Sequence, residues 1–235
     1  MIPEQANISK GHKLAQGGKA AKDSGWAGTD ESGKGDYFGP LVVAGVYLDN
    51  KTAPQLEAYK VRDSKKISDR VILGLDYKIR SSCIYSVVVI GPEKYNLLYS
   101  KMKNLNRILA WGHARVIENI LLKQECSKVI SDQFGDEKLI QQALMEKGKK
   151  IMLIQMPKAE NDLAVASASI VARAEFLRRM EALSKECGII LPKGASPLVE
   201  ETARKMVCQL GQEELGKFVK LHFKNTRNVL CVKKK

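Results

Sequence analysis

The chain has few aromatic residues, few histidines and a minority of acidic side chains. Aromatics make up 6% of the 235 residues and histidine occurs three times, so aliphatic side chains must build most of the core. The 26 acidic residues are outnumbered by 39 basic ones, which gives a formal charge of +13. This surplus indicates a polyanionic partner, nucleic acid before an acidic membrane surface. Charge alone leaves open a basic protein without such a partner.

Cysteine does not occur in the spacing of a disulfide framework or a zinc site. The five cysteines are odd in number and include no C-x-x-C pair. We therefore expect a reduced, cytoplasmic protein. No apolar core follows the basic residues near the N-terminus, as a secretory signal would require. No apolar run is long enough to cross a bilayer, so no membrane partner is expected.

The composition changes near residue 26. Residues 1–25 carry four lysines among glycines with little apolar periodicity, which predicts a flexible basic tail. From residue 26 onward, apolar runs predict strands at 41–48, 85–90, 129–131 and 151–154. Helical spacing predicts a helix after Asn104 to about 121, and others at 139–145, 163–183 and within 196–218. This order predicts one α/β domain over residues 26–235, a mixed sheet flanked by helices with a helical C-terminal part.

The first candidate site is an acidic pair followed by glycines. Asp30 and Glu31 precede Gly33-Lys34-Gly35. Adjacent side chains of a regular strand point to opposite faces, so both carboxylates can approach one site only where the strand ends and bends. The glycines allow that bend and a close approach of the backbone to a ligand. A solvated surface pair is the alternative.

Two further acidic residues occupy positions that favour a site. Asp132 follows the apolar strand Val129-Ile130-Ser131, and Asp162 precedes a helix rich in small residues. The carboxyl end of a strand is a common place for ligands in α/β folds, although Asp132 could equally be a turn residue. Asp162 could serve simply as an N-cap.

These four carboxylates, with no nearby histidine or cysteine cluster, predict a site for hard cations. Oxygen ligands suit Mg²⁺ or Mn²⁺ rather than Zn²⁺. On a basic protein, such a site indicates phosphodiester hydrolysis, with two ions per site that activate a water and stabilise the leaving oxygen.

The motifs of the chain resemble those of ribonuclease HIII, a type 2 ribonuclease H. The stretch 28–42, GTDESGKGDYFGPLV, is similar to the opening of that family. Similar motifs follow in order as far as Thr226: Asp63-Ser64-Lys65-Lys66, Asn104-Leu105-Asn106, Trp111-Gly112-His113-Ala114, Asp132-Gln133-Phe134, the Asp162 segment, Leu191-Pro192-Lys193-Gly194-Ala195-Ser196 and Leu221-His222-Phe223-Lys224-Asn225-Thr226.

The resemblance implies a fold, an activity and residue roles. It implies a ribonuclease H-like fold and a monomeric endonuclease that hydrolyses the RNA strand of RNA–DNA hybrids, leaving 5′-phosphates. The family's catalytic and metal-binding carboxylates fall on Asp30, Glu31, Asp132 and Asp162. Its nucleic-acid contacts fall on Gly33, Lys34 and Gly35, which would meet ribose 2′-hydroxyls, and on Ser64, Lys65, Lys66, Asn104 and Asn106, which would meet phosphates.

One departure and two alternatives accompany the resemblance. Members of the family usually carry a substrate-binding domain before the catalytic one, where this sequence has residues 1–25, and the basic tail is expected to compensate. The related ribonuclease HII, which cuts at single embedded ribonucleotides, carries Arg in place of Lys34 and a late junction-stacking Tyr. All seven tyrosines here lie at or before Tyr99. A non-catalytic nucleic-acid binder is the other alternative.

Overall fold

A computed structural model describes residues 25–61, 67–136 and 138–230. The predicted basic tail lies outside the described residues except for Gly25. Five strands form one mixed sheet in the order β3-β2-β1-β4-β5. They are β1 (Trp26–Ser32), β2 (Leu41–Leu48), β3 (Ile84–Ile90), β4 (Lys128–Asp132) and β5 (Met152–Met156). The neighbours β1–β2 and β2–β3 are antiparallel, whereas β1–β4 and β4–β5 are parallel.

Helices cover both faces of the sheet. They are α1 (Thr52–Ala58), α2 (Asp69–Ser82), α3 (Pro92–Met102), α4 (Leu105–Lys123), α5 (Lys138–Ala143), α6 (Leu163–Cys187), α7 (Pro197–Leu210) and α8 (Lys224–Leu230). Strand β2 is buried along its whole length because successive side chains enter different cores. Val42, Ala44, Val46 and Leu48 pack with α2, α6 and α7, while Val43 and Tyr47 pack with α4. The predicted α/β class and mixed sheet are confirmed.

Among the described helices, α1, α2, α3 and α8 were not predicted; α1 and α8 are short, and α2 carries a charged residue on its buried face. Helix α2 follows the polar stretch around Ser64, yet it packs on α6 through Ile72, Leu75 and Ile79. Its Asp76 is fully buried between Arg80 and Arg178, which bond its carboxylate. A buried acid of this kind conceals the amphipathic pattern. None of the described helices is long and apolar enough to span a membrane.

The long helix α6 lies close to β1 because Gly28 has no side chain. A Cβ at Gly28 would collide with the backbone of Ala164 and Val165. This contact places the beginning of α6 directly on the strand that ends in Asp30 and Glu31. The parallel pairing of Thr29 with Ser131 sets Asp132 at the same edge.

Candidate active site

Three of the four predicted carboxylates line one cavity. Asp30, Glu31 and Asp132 surround a space of about 370 Å³, together with Ser32–Gly35, Ser169 and Arg173. The predicted residues Gly33, Lys34 and Gly35 therefore belong to the same cavity as the acids. Larger cavities exist elsewhere on the chain, but they lack this concentration of carboxylates.

Asp30 lies on the α6 side of the sheet edge. It accepts a hydrogen bond from the Ser169 hydroxyl and another, 2.8 Å long, from the Glu31 amide. Burial and the adjacent Glu31, with a smaller effect of Asp132, raise the pKa of Asp30 from 3.8 to about 7 despite these bonds. The raised pKa reflects negative charges that are crowded in a poorly hydrated place.

Glu31 points towards α4 and meets a buried histidine. His113 Nε2 donates to Glu31 Oε2 at 3.2 Å, and His113 Nδ1 lies 2.9 Å from Thr29 Oγ1. Lys34 Nζ is 3.4 Å from Glu31 Oε1. Burial acts to raise the pKa of Glu31, but His113 and Lys34 outweigh it and hold that pKa below its usual value. Glu31 therefore stays ionised beside Asp30.

The loop after β1 is shaped by its first glycine. Gly33 has φ of 87°, and a Cβ there would collide with the Pro40 carbonyl. The second glycine, Gly35, is different, since a Cβ would meet no heavy atom within 4 Å. Gly33 thus makes the turn, while Gly35 leaves the backbone open to a ligand.

The loop after β4 connects the acids to the predicted asparagines. Asp132 accepts a hydrogen bond from the Ala159 amide at 3.3 Å. Phe134 stacks on His113 with ring centroids 5.0 Å apart, and Lys34 Nζ lies over the Phe134 ring, 5.8 Å from its centroid. A Cβ at Gly135 would lie 2.7 Å from the Asn106 amide nitrogen, so Asn106 lies against this loop. Asn104 caps α4 by accepting from the backbone amides of Asn106 and Arg107.

Asp162 has a different environment from the other acids. Its Oδ1 caps α6 by accepting from the Ala164 and Val165 amides at 2.9 and 3.1 Å. Trp26 Nε1 donates to Oδ2 at 3.0 Å. Among the described residues, Asp162 does not line the cavity, and no three His, Cys, Asp or Glu side chains are grouped tightly enough to hold a metal ion. Of the other predicted contacts, Ser64, Lys65 and Lys66 lie outside the described residues.

Sequence reasoning did not assign a role to His113, Ser169, Arg173 or Trp26. His113, Ser169 and Trp26 each contact a predicted acid, and Arg173 lines the cavity of these acids. In each case the two parts of the contact lie far apart in the sequence. The spacing of Ser169 and Arg173, one helical turn apart, was the available signal, because it places both on one face of α6.

Comparisons with known proteins agree with this architecture. A family model for ribonuclease HII matches residues 27–226. Ribonuclease HIII of Protochlamydia amoebophila (strain UWE25) is 47% identical over 203 residues, which cover 86% of this chain and 67% of that protein. Ribonuclease HIII of Chlamydia felis (strain Fe/C-56) is 45% identical over 207 residues, covering 87% and 69% of the two chains.

Solved structures show the same fold. Bst-RNase HIII, determined in complex with Mn²⁺, superposes with a TM-score of 0.84 at 33% identity, covering 90% of this chain and 71% of the other. The ribonuclease HII of Archaeoglobus fulgidus, determined with PCNA, gives a TM-score of 0.72 at 28% identity, covering 89% of this chain and 97% of the other. With motifs, fold and relatives in agreement, the chain belongs to the ribonuclease HIII group of the type 2 ribonucleases H and is a ribonuclease H.

Proposed function

We propose that this ribonuclease H hydrolyses the RNA strand of RNA–DNA hybrids with two divalent cations. The observation that carries the proposal is the cavity in which Asp30, Glu31 and Asp132 adjoin the Gly33–Gly35 loop. It combines anionic oxygen ligands with a backbone that is open to a ribose. The formal charge of +13 supports a polyanionic substrate.

The donor set of the cavity fits hard cations. Its ionisable oxygen ligands are carboxylates, and burial together with the adjacent Glu31 raises the pKa of Asp30. Mg²⁺ or Mn²⁺ prefers such ligands, and the Bst relative was determined with Mn²⁺. Bound there, two cations would activate the attacking water and stabilise the leaving oxygen.

Each residue of the site has a distinct proposed task. Asp30 and Asp132 hold the cations, and Glu31 does so in an orientation fixed by His113. Asp162 is the proposed fourth ligand. In the structure it bonds Trp26 and the start of α6, so ligation requires its Oδ2 to exchange the indole for a cation. Backbone groups of Gly33–Gly35 read the 2′-hydroxyls that distinguish RNA from DNA.

The direct test is cleavage of a labelled RNA–DNA hybrid with and without Mg²⁺ or Mn²⁺. We expect metal-dependent internal cuts in the RNA strand and none after chelation. Asp30→Asn and Asp132→Asn should each abolish cutting while the fold survives, because each removes one negative charge and keeps the side-chain shape. Retarded but intact substrate with the wild-type protein would instead identify a non-catalytic binder.

A ribonuclease HII-type activity at single embedded ribonucleotides is the alternative. It would need an aromatic side chain to stack at the RNA–DNA junction in place of the absent late tyrosine. Phe218 is 3% exposed and packs in the core. Phe223 packs against Tyr37 and His222, with ring centroids 5.9 and 4.7 Å away. Phe218 is therefore not presented for stacking, whereas Phe223 is half-buried and lines a surface cavity. The lack of a late tyrosine favours the HIII-type activity.

A further inference from the structure

A cationic side chain shares the cavity of the three acids. Arg173 lies on α6 one turn beyond Ser169, whose hydroxyl bonds Asp30. Because residues four apart share a helix face, Arg173 is directed to the same cavity and lines it. A cation in this position faces the space in which the substrate's phosphates must lie if the proposed function holds.

Asp69 fixes the direction of Arg173. Its Oδ1 is 2.7 Å from Arg173 Nη2, and its Oδ2 is 2.6 Å from Lys193 Nζ. Asp69 is the first residue of α2, where the helix dipole favours an ionised carboxylate. Burial acts to raise the pKa of Asp69, but its bonds to Lys193 and Arg173 outweigh it and hold that pKa below the usual value.

Asp69 lies between two cations. Arg173 and Lys193 contribute two positive charges against its single negative charge. The carboxylate therefore orients the guanidinium, while the three acids of the same cavity would repel an anion in the absence of bound cations. A guanidinium held in this way is suited to phosphate, since its planar fork matches two phosphate oxygens.

The same segment also holds the loop that carries the glycines. Gly194 follows Lys193, and its amide donates to Asp36 Oδ1 at 2.6 Å. Its carbonyl accepts from the Tyr37 amide at 2.9 Å. Lys193-Gly194 thus links Asp69 to the loop after Gly35, so that Arg173 and the Gly33–Gly35 loop keep a fixed relation across the cavity.

We propose that Arg173 binds a phosphate of the cleaved RNA strand next to the scissile bond, with Asp69 as its positioning residue. The inference rests on the proposed hybrid-cleaving function. It assigns a role to Arg173 and Asp69, which lie outside the predicted site, and to the Leu191–Ser196 motif, for which no role was predicted.

The first measurement is hybrid binding in Ca²⁺ as a function of salt, for the wild type, Arg173→Gln and Arg179→Gln. Arg179 is a matched control, because it lies on the same helix and pairs with Glu175 at the surface. We expect Arg173→Gln to weaken binding about tenfold and to lower the salt slope by about 0.9, the value for one phosphate contact. Arg179→Gln should change neither quantity, and Arg173→Lys should restore part of the affinity.

The second measurement identifies the phosphate. One uncharged methylphosphonate at a time replaces a phosphate along the cleaved strand. Each such substrate is compared with one that carries a deoxynucleotide and an ordinary phosphate at the same position. At one position next to the scissile bond, the methylphosphonate should weaken hybrid binding by the wild type. It should not weaken binding by Arg173→Gln any further. Asp69→Asn should reduce this coupling, although it retains Arg173.

The outcomes separate this inference from the proposed function. An unchanged salt slope in Arg173→Gln, or the absence of coupling at every position, overturns the assignment of Arg173. Thermal unfolding of each variant identifies a loss of binding that comes from misfolding. If Arg173→Gln is misfolded, the same measurements are made on Arg173→Lys. Failure of the wild type to cut the hybrid would overturn the proposed function itself.

Discussion

His113 Nε2 lies 3.2 Å from Oε2 of Glu31, so a buried imidazole on α4 holds an acid at the end of β1. The opposite ring nitrogen meets Thr29 Oγ1 at 2.9 Å, and Phe134 stacks on the ring. The imidazole therefore has one orientation. Because a carboxylate only accepts hydrogen bonds, Nε2 must carry a proton.

The first prediction is that His113 positions Glu31 for metal binding. His113→Ala should raise the Mg²⁺ concentration needed for half-maximal cleavage by about 10- to 100-fold, the usual effect of losing an outer partner of a metal ligand. It should also lower stability by about 1–3 kcal/mol through lost buried hydrogen bonds. His113→Gln, whose amide can still donate, should recover part of the metal affinity. Equal metal dependence in wild type and His113→Ala would show that His113 serves packing alone.

The second prediction separates the two glycines of the loop. Gly33→Ala should destabilise the fold, because it strains a backbone with φ of 87° and collides with the Pro40 carbonyl. Gly35→Ala should leave the unfolding temperature unchanged, since its Cβ meets nothing within 4 Å. It should nonetheless weaken hybrid binding, by blocking the approach of a ribose. Normal hybrid affinity in Gly35→Ala would remove this backbone from the substrate contact.

The third prediction isolates the charge of Asp162 from its capping role. Asn is as good an N-cap as Asp, but its amide nitrogen cannot accept from the Trp26 indole, so Asp162→Asn should lower stability by about 1 kcal/mol while keeping the cap. Cleavage should nevertheless fall steeply if the carboxylate is the fourth ligand. Trp26→Phe removes the indole donor and some packing volume but keeps the Asp162 carboxylate, and it is the control for which we expect activity to persist. Full activity of Asp162→Asn would show that Asp162 acts as the N-cap of α6 and is not a metal ligand.

The parts of the site that the sequence predicted are those with a local signal. Asp30, Glu31 and the glycines are adjacent, and the strand end at Asp132 is visible as a short apolar run. Asp162 shows the limit of such signals, because a helix cap and a metal ligand have the same sequence pattern. The structure shows the cap, and the ligand remains a prediction.

The parts that the sequence could not predict depend on contacts between distant residues. Arg173 and Asp69 are 104 positions apart, and His113 and Glu31 are 82 apart. No periodicity relates such pairs, since the sheet order decides which helix faces which strand end. The same reason explains the missed α2, whose buried Asp76 is bonded by Arg80 of the same helix and by the distant Arg178 on α6.

The fourth prediction concerns a buried lysine that holds the loop after the glycines. Lys220 Nζ donates to the carbonyls of Asp36 and Gly39 at 2.8 Å each. Burial lowers the pKa of Lys220 from 10.5 to about 7, although Asp36 opposes the shift. A third carbonyl, that of Phe38, lies 3.5 Å from Nζ, so the hydrogen bonds alone do not distinguish an ammonium from an amine.

The sign of the pH effect follows from the lowered pKa. Between pH 7 and 10.5 the unfolded chain binds a proton at Lys220 that the folded chain does not, so stability rises with pH across that window. We expect the stability of the wild type relative to Lys220→Met to increase by on the order of 1–3 kcal/mol from pH 7 to 10. Parallel pH profiles would show that Lys220 is charged in the fold.

The last prediction concerns which bonds are cut. The enzyme should cleave within runs of ribonucleotides and act poorly on a DNA duplex that carries one ribonucleotide. Backbone groups of Gly33–Gly35 can reach several consecutive 2′-hydroxyls, each contributing on the order of 1 kcal/mol, so a site that reads several needs several riboses. A junction-cutting enzyme instead needs a group that favours a deoxyribose on one side. Phe218 is buried and does not supply that group, whereas Phe223 is half-buried and is therefore tested directly.

The measurement compares kcat/KM for duplexes of equal length that carry one, four or only ribonucleotides in the cut strand. If each additional contacted 2′-hydroxyl contributes about 1 kcal/mol, the four-ribonucleotide duplex should be cut at least tenfold more efficiently than the single-ribonucleotide one. Phe223→Ala tests the half-buried Phe223 ring, and it should not change this ratio if the enzyme reads consecutive 2′-hydroxyls. Comparable efficiency on all three duplexes would favour the HII-type activity. It would leave the roles of Asp30 and Asp132 untouched, since both activities need the same carboxylates.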